Sequence, residues 1–303
     1  MAAPVIVAAG LVKDYGRTHA LRGLDLQVNP GEVFGFLGPN GAGKSTTIRV
    51  LLDLIRPTAG QVSVLGLDPR RQGVELRRRL GYLEGDFTVD GRQSARELLT
   101  YLGRLRGSVP PSRIEAMAEE LDLDLKPRIH SLSKGNRQKV GLIQAFMHDP
   151  ELLILDEPTS GLDPFLQQQF TRMAREAVAA GRTVFMSSHV MSEVQKVADR
   201  VGIIRDGLLV TVHSVESLRE SSTRRIEVIF ADPPPPGTFD GVDGLRDVRL
   251  DGPMLHARLD GRADALIKAI AGLTVLSLTS EEPDLEEIFF EQYANGRAER
   301  RAS

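Results

Sequence analysis

The run Gly38-Pro39-Asn40-Gly41-Ala42-Gly43-Lys44-Ser45-Thr46 fits the phosphate-binding pattern G-x-x-x-x-G-K-[ST], which constrains the chain more than any other feature. The pattern needs a strand before it and a helix after it. Residues 32–37 form a short apolar run of strand character, and Ile48, Leu51, Leu52 and Ile55 in 46–55 recur at helical spacing. Closely spaced glycines let backbone curl around an anion without Cβ clashes, and the following helix points free N–H groups and its positive dipole end at it. Lys44 adds a full charge for the β- and γ-phosphates, Ser45 a hydroxyl for Mg²⁺, and Thr46 a further phosphate contact. The expected fold class is therefore α/β, a nucleotide-binding P-loop domain.

A second constellation stands downstream. Glu151-Leu152-Leu153-Ile154-Leu155-Asp156-Glu157 reads as a buried parallel strand whose carboxyl end carries two acids. In one site with the phosphate loop, Asp156 would hold Mg²⁺ and Glu157 would take the proton of an attacking water.

Between the two lies Leu132-Ser133-Lys134-Gly135-Asn136, ahead of a helix with Val140, Ile143 and Met147 on one face and a stop at Asp149-Pro150. A Ser-x-Gly at a helix N-terminus clusters donors for an anion, so it reads as a second phosphate site. The segment resembles the LSGGQ signature of ABC-type ATPases, with Lys134 in place of a glycine and Asn136 in place of the glutamine. Other landmarks of that family follow in order. Tyr15 resembles the aromatic that stacks on adenine, Ser160-Gly161-Leu162-Asp163 the loop joining two active sites of a dimer, and His189 the histidine that touches the γ-phosphate.

The resemblance implies a head-to-tail dimer, with itself or with a similar ATPase subunit, that holds ATP between the phosphate loop of one subunit and the signature of the other. It further implies Glu157 and His189 as catalytic residues, ATP and Mg²⁺ as cofactors, and a helical subdomain at about 86–145 that receives a multi-span transmembrane permease. Within it, Leu98, Leu99, Leu102 and Leu105 form one amphipathic stretch and Ile114, Met117, Ala118 and Leu121 another. One landmark is missing. The family's glutamine after a Gly-Tyr-x-Pro run is replaced at Gly85 in Gly81-Tyr82-Leu83-Glu84-Gly85-Asp86, leaving Glu84 and Asp86 as flanking carboxylates, with Asp86 the better substitute metal ligand.

From 213 onward the character changes, and the expected domains are 1–212 and 213–303. A strand at 225–230, a Pro-rich loop, a hairpin at 248–259, a helix at 263–271 and a last strand and helix at 275–278 and 284–293 make a small α+β module without catalytic motifs. Its ending, Glu282-Pro283-Asp284-Leu285-Glu286-Glu287-Ile288-Phe289, resembles the extension of ATPases that serve bacterial drug and antibiotic exporters, and reads as a dimerising or regulatory appendage.

Composition narrows the class. A net charge of −3 argues against a broad nucleic-acid surface, and the absence of cysteine removes disulfides and thiolate metal sites. No apolar window reaches membrane-span length and the N-terminus lacks a basic signal region, so the expected location is the cytoplasmic face of a membrane, reached through a partner. The rival from another class is a soluble ABC-type ATPase acting on DNA or ribosomes, which would be expected to carry a coiled-coil insert or tandem nucleotide domains. An import ATPase would keep the glutamine and carry a longer regulatory domain.

Overall fold

The computed structural model describes residues 3–85, 87, 92–107, 109–220 and 224–281, with the side chains of 218–220 left aside. The chain forms two compact units, Met1–His213 and Ser214–Ser303.

The first unit opens with β1 (Ile6–Tyr15), β2 (Thr18–Val28), β3 (Val33–Leu37), α1 (Lys44–Leu51) and β4 (Ala59–Val64). There follow α2 (Gly73–Arg78), β5 (Leu80–Leu83), α3 (Ala95–Leu105), α4 (Pro111–Glu120), a 3₁₀ turn at Ile129–Ser131 and α5 (Lys134–Phe146). It closes with β6 (Leu152–Asp156), α6 (Pro164–Ala179), β7 (Thr183–Ser188), α7 (Met191–Val197), β8 (Arg200–Arg205) and β9 (Leu208–Ser214). Six strands share one sheet in the order β5-β6-β7-β3-β8-β9, with β5 through β8 paired in parallel.

The central strands β3, β6 and β7 are buried along their whole length, as a parallel sheet covered on both faces requires. Phe185 stacks on Phe34 at 5.9 Å between ring centroids and packs on Phe36 at 5.4 Å. A three-stranded antiparallel sheet, β2-β1-β4, shares a core with this one; Leu11, Leu21 and Val64 belong to the same buried cluster as Ile48, Leu51, Phe34 and Ile154. That burial fixes α1, and so the phosphate loop ahead of it, at the carboxyl end of β3. Switch-point geometry of this kind opens a ligand crevice beside the strand ends.

The helical segment is held by its own caps and packing. Ser94 and Glu97 form a reciprocal capping box at α3, and Pro111 stands in the first turn of α4. Leu98, Leu99, Ile114, Ala118 and Leu121 are buried as their periodicity predicts. Leu105 is not; it is 65% exposed at the end of α3, where the helix face has turned out of the core.

The second unit holds α8 (Val215–Glu220), β10 (Arg224–Phe230), β11 (Leu245–Asp251), β12 (Met254–Leu259), α9 (Asp264–Ile270) and β13 (Val275–Glu281). Its sheet runs β11-β12-β10-β13, and one face packs Ile226, Val228, Phe230, Leu255 and Leu259 against Leu266 and Ile270 of α9. The hairpin read around Asp251-Gly252-Pro253 is the β11–β12 pair. The family-like ending at 282–289 and the helix read at 284–293 lie outside the described residues.

Candidate nucleotide site

The phosphate loop leaves β3 and enters α1 through Gly43, whose φ is 110°. A Cβ there would lie 2.8 Å from the Ala20 carbonyl oxygen, so both conformation and space demand glycine. The helix begins at Lys44, two residues earlier than its apolar periodicity indicates, because the Lys44 side chain turns to the loop carbonyls rather than to the apolar core.

Lys44 is 6% exposed, and all three of its ammonium donors point inward. Its Nζ donates to the carbonyls of Gly38 at 2.6 Å and Pro39 at 3.3 Å, and lies 3.4 Å from Oε1 of Glu157. Ser45 and Thr46 are half-buried beside it in the first turn. Pro39, Asn40, Gly41 and Ala42 complete the loop, with Pro39, Asn40 and Gly41 exposed and Ala42 buried.

The carboxyl end of β6 meets this lysine. Asp156 is 5% exposed and accepts the Ser187 hydroxyl at 2.5 Å; the same Ser187 oxygen accepts the backbone N–H of Glu157 at 3.1 Å. Glu157 itself has φ 48°, an uncommon left-handed conformation for a residue with a side chain, which lifts it off the strand line. Its second oxygen lies 2.8 Å from Nδ1 of His189. A carboxylate only accepts, so the proton of that contact sits on Nδ1 and leaves Nε2 directed elsewhere. The carbonyl of Ser188 takes the Gly38 N–H at 3.2 Å, tying the histidine turn to the start of the phosphate loop.

Gly85 lies against the same acid. A Cβ at this position would be 3.2 Å from the Asp156 carbonyl oxygen and 3.4 Å from its carboxyl carbon. Glu84 turns away to Arg49 of α1, 3.7 Å distant and half-exposed. Asp86 lies outside the described residues. Tyr82, in β5 three residues before Gly85, has its phenol pushed above the ordinary range by burial first and by the Glu84 and Asp156 charges after it.

Other candidate residues lie around this centre. Tyr15 ends β1, 46% exposed, with the Lys13 ammonium 4.9 Å from its ring centroid. Ser133 caps α5 by accepting the Asn136 N–H at 3.2 Å. Leu132 is buried behind it, and Lys134 and Gly135 sit against Gly161 of the inter-site loop. Ser160, Gly161 and Leu162 lead to Asp163, which caps α6 through the Leu166 N–H at 3.0 Å. Among the described residues no hydrogen bond or ion pair joins this Ser-x-Gly cluster to the phosphate loop.

Two contributors were not singled out by residue type. Gln138 is 3% exposed and donates to the carbonyls of Glu157 and Pro158, steadying the strained acid from the signature helix. The only sequence signal for it is a glutamine on the buried side of an amphipathic helix. Ser187 had no signal beyond its place before His189.

The family model for ABC transporters matches residues 21–160, which include the phosphate loop, the signature and the acidic strand. The bacitracin transport ATP-binding protein BcrA of Bacillus licheniformis is 33% identical over 302 residues, covering 96% of this chain and 98% of that protein. The chain belongs to the ATP-binding subunits of ABC transporters. The daunorubicin resistance ATP-binding protein DrrA3 of Streptomyces coeruleorubidus is 32% identical over 317 residues and covers both chains completely. A solved ATP-binding subunit of an ABC transporter superposes with a TM-score of 0.66 at 26% identity, covering 71% of this chain and 92% of that one. As a member of this family the chain is an ATPase, and similarity that runs through the second unit in both relatives makes that unit part of the same kind of subunit. No described helix is long and apolar enough to cross a membrane.

Proposed function

We propose that this subunit hydrolyses MgATP at the interface of a head-to-tail dimer and drives export of amphipathic drug- or antibiotic-like compounds through a separate multi-span permease, from the cytoplasmic face of the membrane. The convergence of Lys44, Asp156, Glu157 and His189 at the strand ends carries the hydrolytic part of this reading. Two full-length relatives named for bacitracin transport and daunorubicin resistance support the export part. A net charge of −3 and the match to transport subunits favour it over action on DNA or ribosomes.

A divalent hard cation fits the donor set. The site offers one nearly buried carboxylate, Asp156, and one hydroxyl, Ser45, and no group of three or more acidic, His or Cys side chains that could hold a metal ion by themselves occurs among the described residues. Mg²⁺ is held in this way, by one carboxylate and the substrate's phosphates rather than by a protein cage. When bound it neutralises phosphate charge that develops during transfer.

The chain's own residues account for the remaining steps. Entering phosphates compete with Glu157 for Lys44, whose 3.4 Å contact with Glu157 is the longest of its three. Release of Lys44 leaves Glu157 free to accept a proton from water, with His189 still orienting its second oxygen. Tyr15 stacks on adenine in this reading. Leu132-Ser133-Lys134-Gly135-Asn136 of a second copy closes over the γ-phosphate, and Ser160-Gly161-Leu162-Asp163 links the two sites.

In the purified complex with its permease, Glu157→Gln should keep ATP binding while turnover falls by roughly 10²- to 10⁴-fold. Drug-like compounds should stimulate the unaltered complex and not the variant. Normal turnover in Glu157→Gln, or stimulation by DNA or ribosomes instead, would refute the proposal.

A further inference from the structure

We propose that Glu193, on α7, is a positioning residue for hydrolysis that ties the inter-site loop to the turn carrying His189. Its Oε2 accepts the Thr159 hydroxyl at 2.5 Å and lies 3.4 Å from the Ser188 hydroxyl, and its Oε1 accepts the Gln167 amide at 3.2 Å. These donors come from three functional segments. Thr159 precedes the inter-site loop, Gln167 lies in the opening turns of α6 just past it, and Ser188 immediately precedes His189.

The carboxylate is thus a junction between parts that sequence separates by about thirty residues, with |i−j| of 34 to Thr159 and 26 to Gln167. Thr159 is 5% exposed and Ser188 is fully buried. Glu193 has little room to drift, because its neighbour Val194 packs so closely on β3 that a Cβ at Gly35 would lie 2.2 Å from it. Its three partners are neutral hydroxyl and amide groups, which a carboxylate holds more strongly than a neutral acceptor would. A plain surface ion pair would have recruited a cation instead.

The Ser188 backbone extends the link. Its carbonyl takes the Gly38 N–H, so displacement of Thr159 or Gln167 reaches both His189 and the phosphate loop through one residue. Seating of a second copy against the inter-site loop would therefore be felt at His189. Among the described residues Glu193 makes no hydrogen bond or ion pair with Lys44, Asp156, Glu157 or His189, its partners being Thr159, Gln167 and Ser188, so it should act on turnover and on communication between sites rather than on ATP affinity. The inference rests on the proposed assignment of His189 to hydrolysis and of residues 160–163 to the link between sites.

The test is steady-state hydrolysis by the full-length chain across ATP concentration for Glu193→Gln, Gln167→Glu and the double variant. In Glu193→Gln two amides face each other, and in Gln167→Glu two carboxylates do; the double variant restores one of each. Misplacement by a fraction of an ångström should cost Glu193→Gln about 10-fold in kcat, with KM for ATP within about 2-fold and cooperativity between sites lost. The exchange should recover kcat to within about 3-fold of the unaltered chain, as coupled neighbours do in a double-mutant cycle. A general packing role would lower thermal stability in Glu193→Gln and leave kcat of the folded protein alone. Unchanged kcat and cooperativity in Glu193→Gln, or a double variant no faster than the slower single one, would overturn the inference. His189→Ala serves as the reference. Full turnover there would refute the site assignment itself, whereas lost turnover there with normal Glu193→Gln would refute Glu193 alone.

Discussion

Position 85 shows what one missing side chain does to a metal-binding acid. Gly85 lies so close to Asp156 that the glutamine usual in this family would reach past the acid into the site from that backbone position, and glycine has no side chain to do so. Glu84 pairs with Arg49 and is committed to α1. Asp86, one residue on, is therefore proposed as the oxygen ligand that a hard cation prefers. Asp86→Ala should raise the Mg²⁺ concentration for half-maximal turnover and Glu84→Ala should leave it unchanged, which a Mg²⁺ titration of both variants would read. Equal Mg²⁺ dependence in all three proteins would mean that water completes the coordination. Glu157 adds a backbone cost, since a left-handed non-glycine residue is disfavoured by about 1–2 kcal/mol. The contacts with Lys44, His189, Gln138 and Ser187 hold it there.

At the scale of elements, α5 begins at a residue with two duties. Ser133 caps the helix in the single chain, and the proposed dimer asks the same residue to meet phosphate in trans. The duties separate chemically. Ser133→Ala loses the cap and should cost about 1 kcal/mol, or roughly 2–4 °C in melting temperature for a domain of this size. Ser133→Asp keeps the cap and should keep the melting temperature, but places a carboxylate against the γ-phosphate and should abolish hydrolysis. Thermal melts beside ATPase assays would distinguish them; an active Ser133→Asp protein would leave Ser133 only the cap.

The elements also differ in how plainly the sequence announced them. The phosphate loop, the acidic strand and the helices of 95–146 were readable because glycine spacing, apolar runs and 3.6-residue periodicity act within one segment. Leu105 broke its pattern because burial depends on which neighbour covers a helix end. The Glu193 junction and the roles of Ser187 and Gln138 were not legible, since each arises only when β6, β7, α5, α6 and α7 are brought together. No local pattern records a contact between Thr159 and Glu193.

For the whole molecule, the central claim is that one chain supplies two halves of different active sites. Within the single chain the Ser-x-Gly cluster leans on Gly161 and makes no bond to the phosphate loop among the described residues, as expected of a half-site awaiting a second copy. Complementation tests this most directly. Lys44→Ala disables the phosphate loop and Ser133→Asp the signature, so each protein alone should be inactive. In a mixed dimer the intact phosphate loop of one copy faces the intact signature of the other. Random pairing should then restore roughly a quarter of the original activity, half of the dimers carrying one working site each. A mixture as inactive as its components would contradict the account and place both halves of the site within one chain.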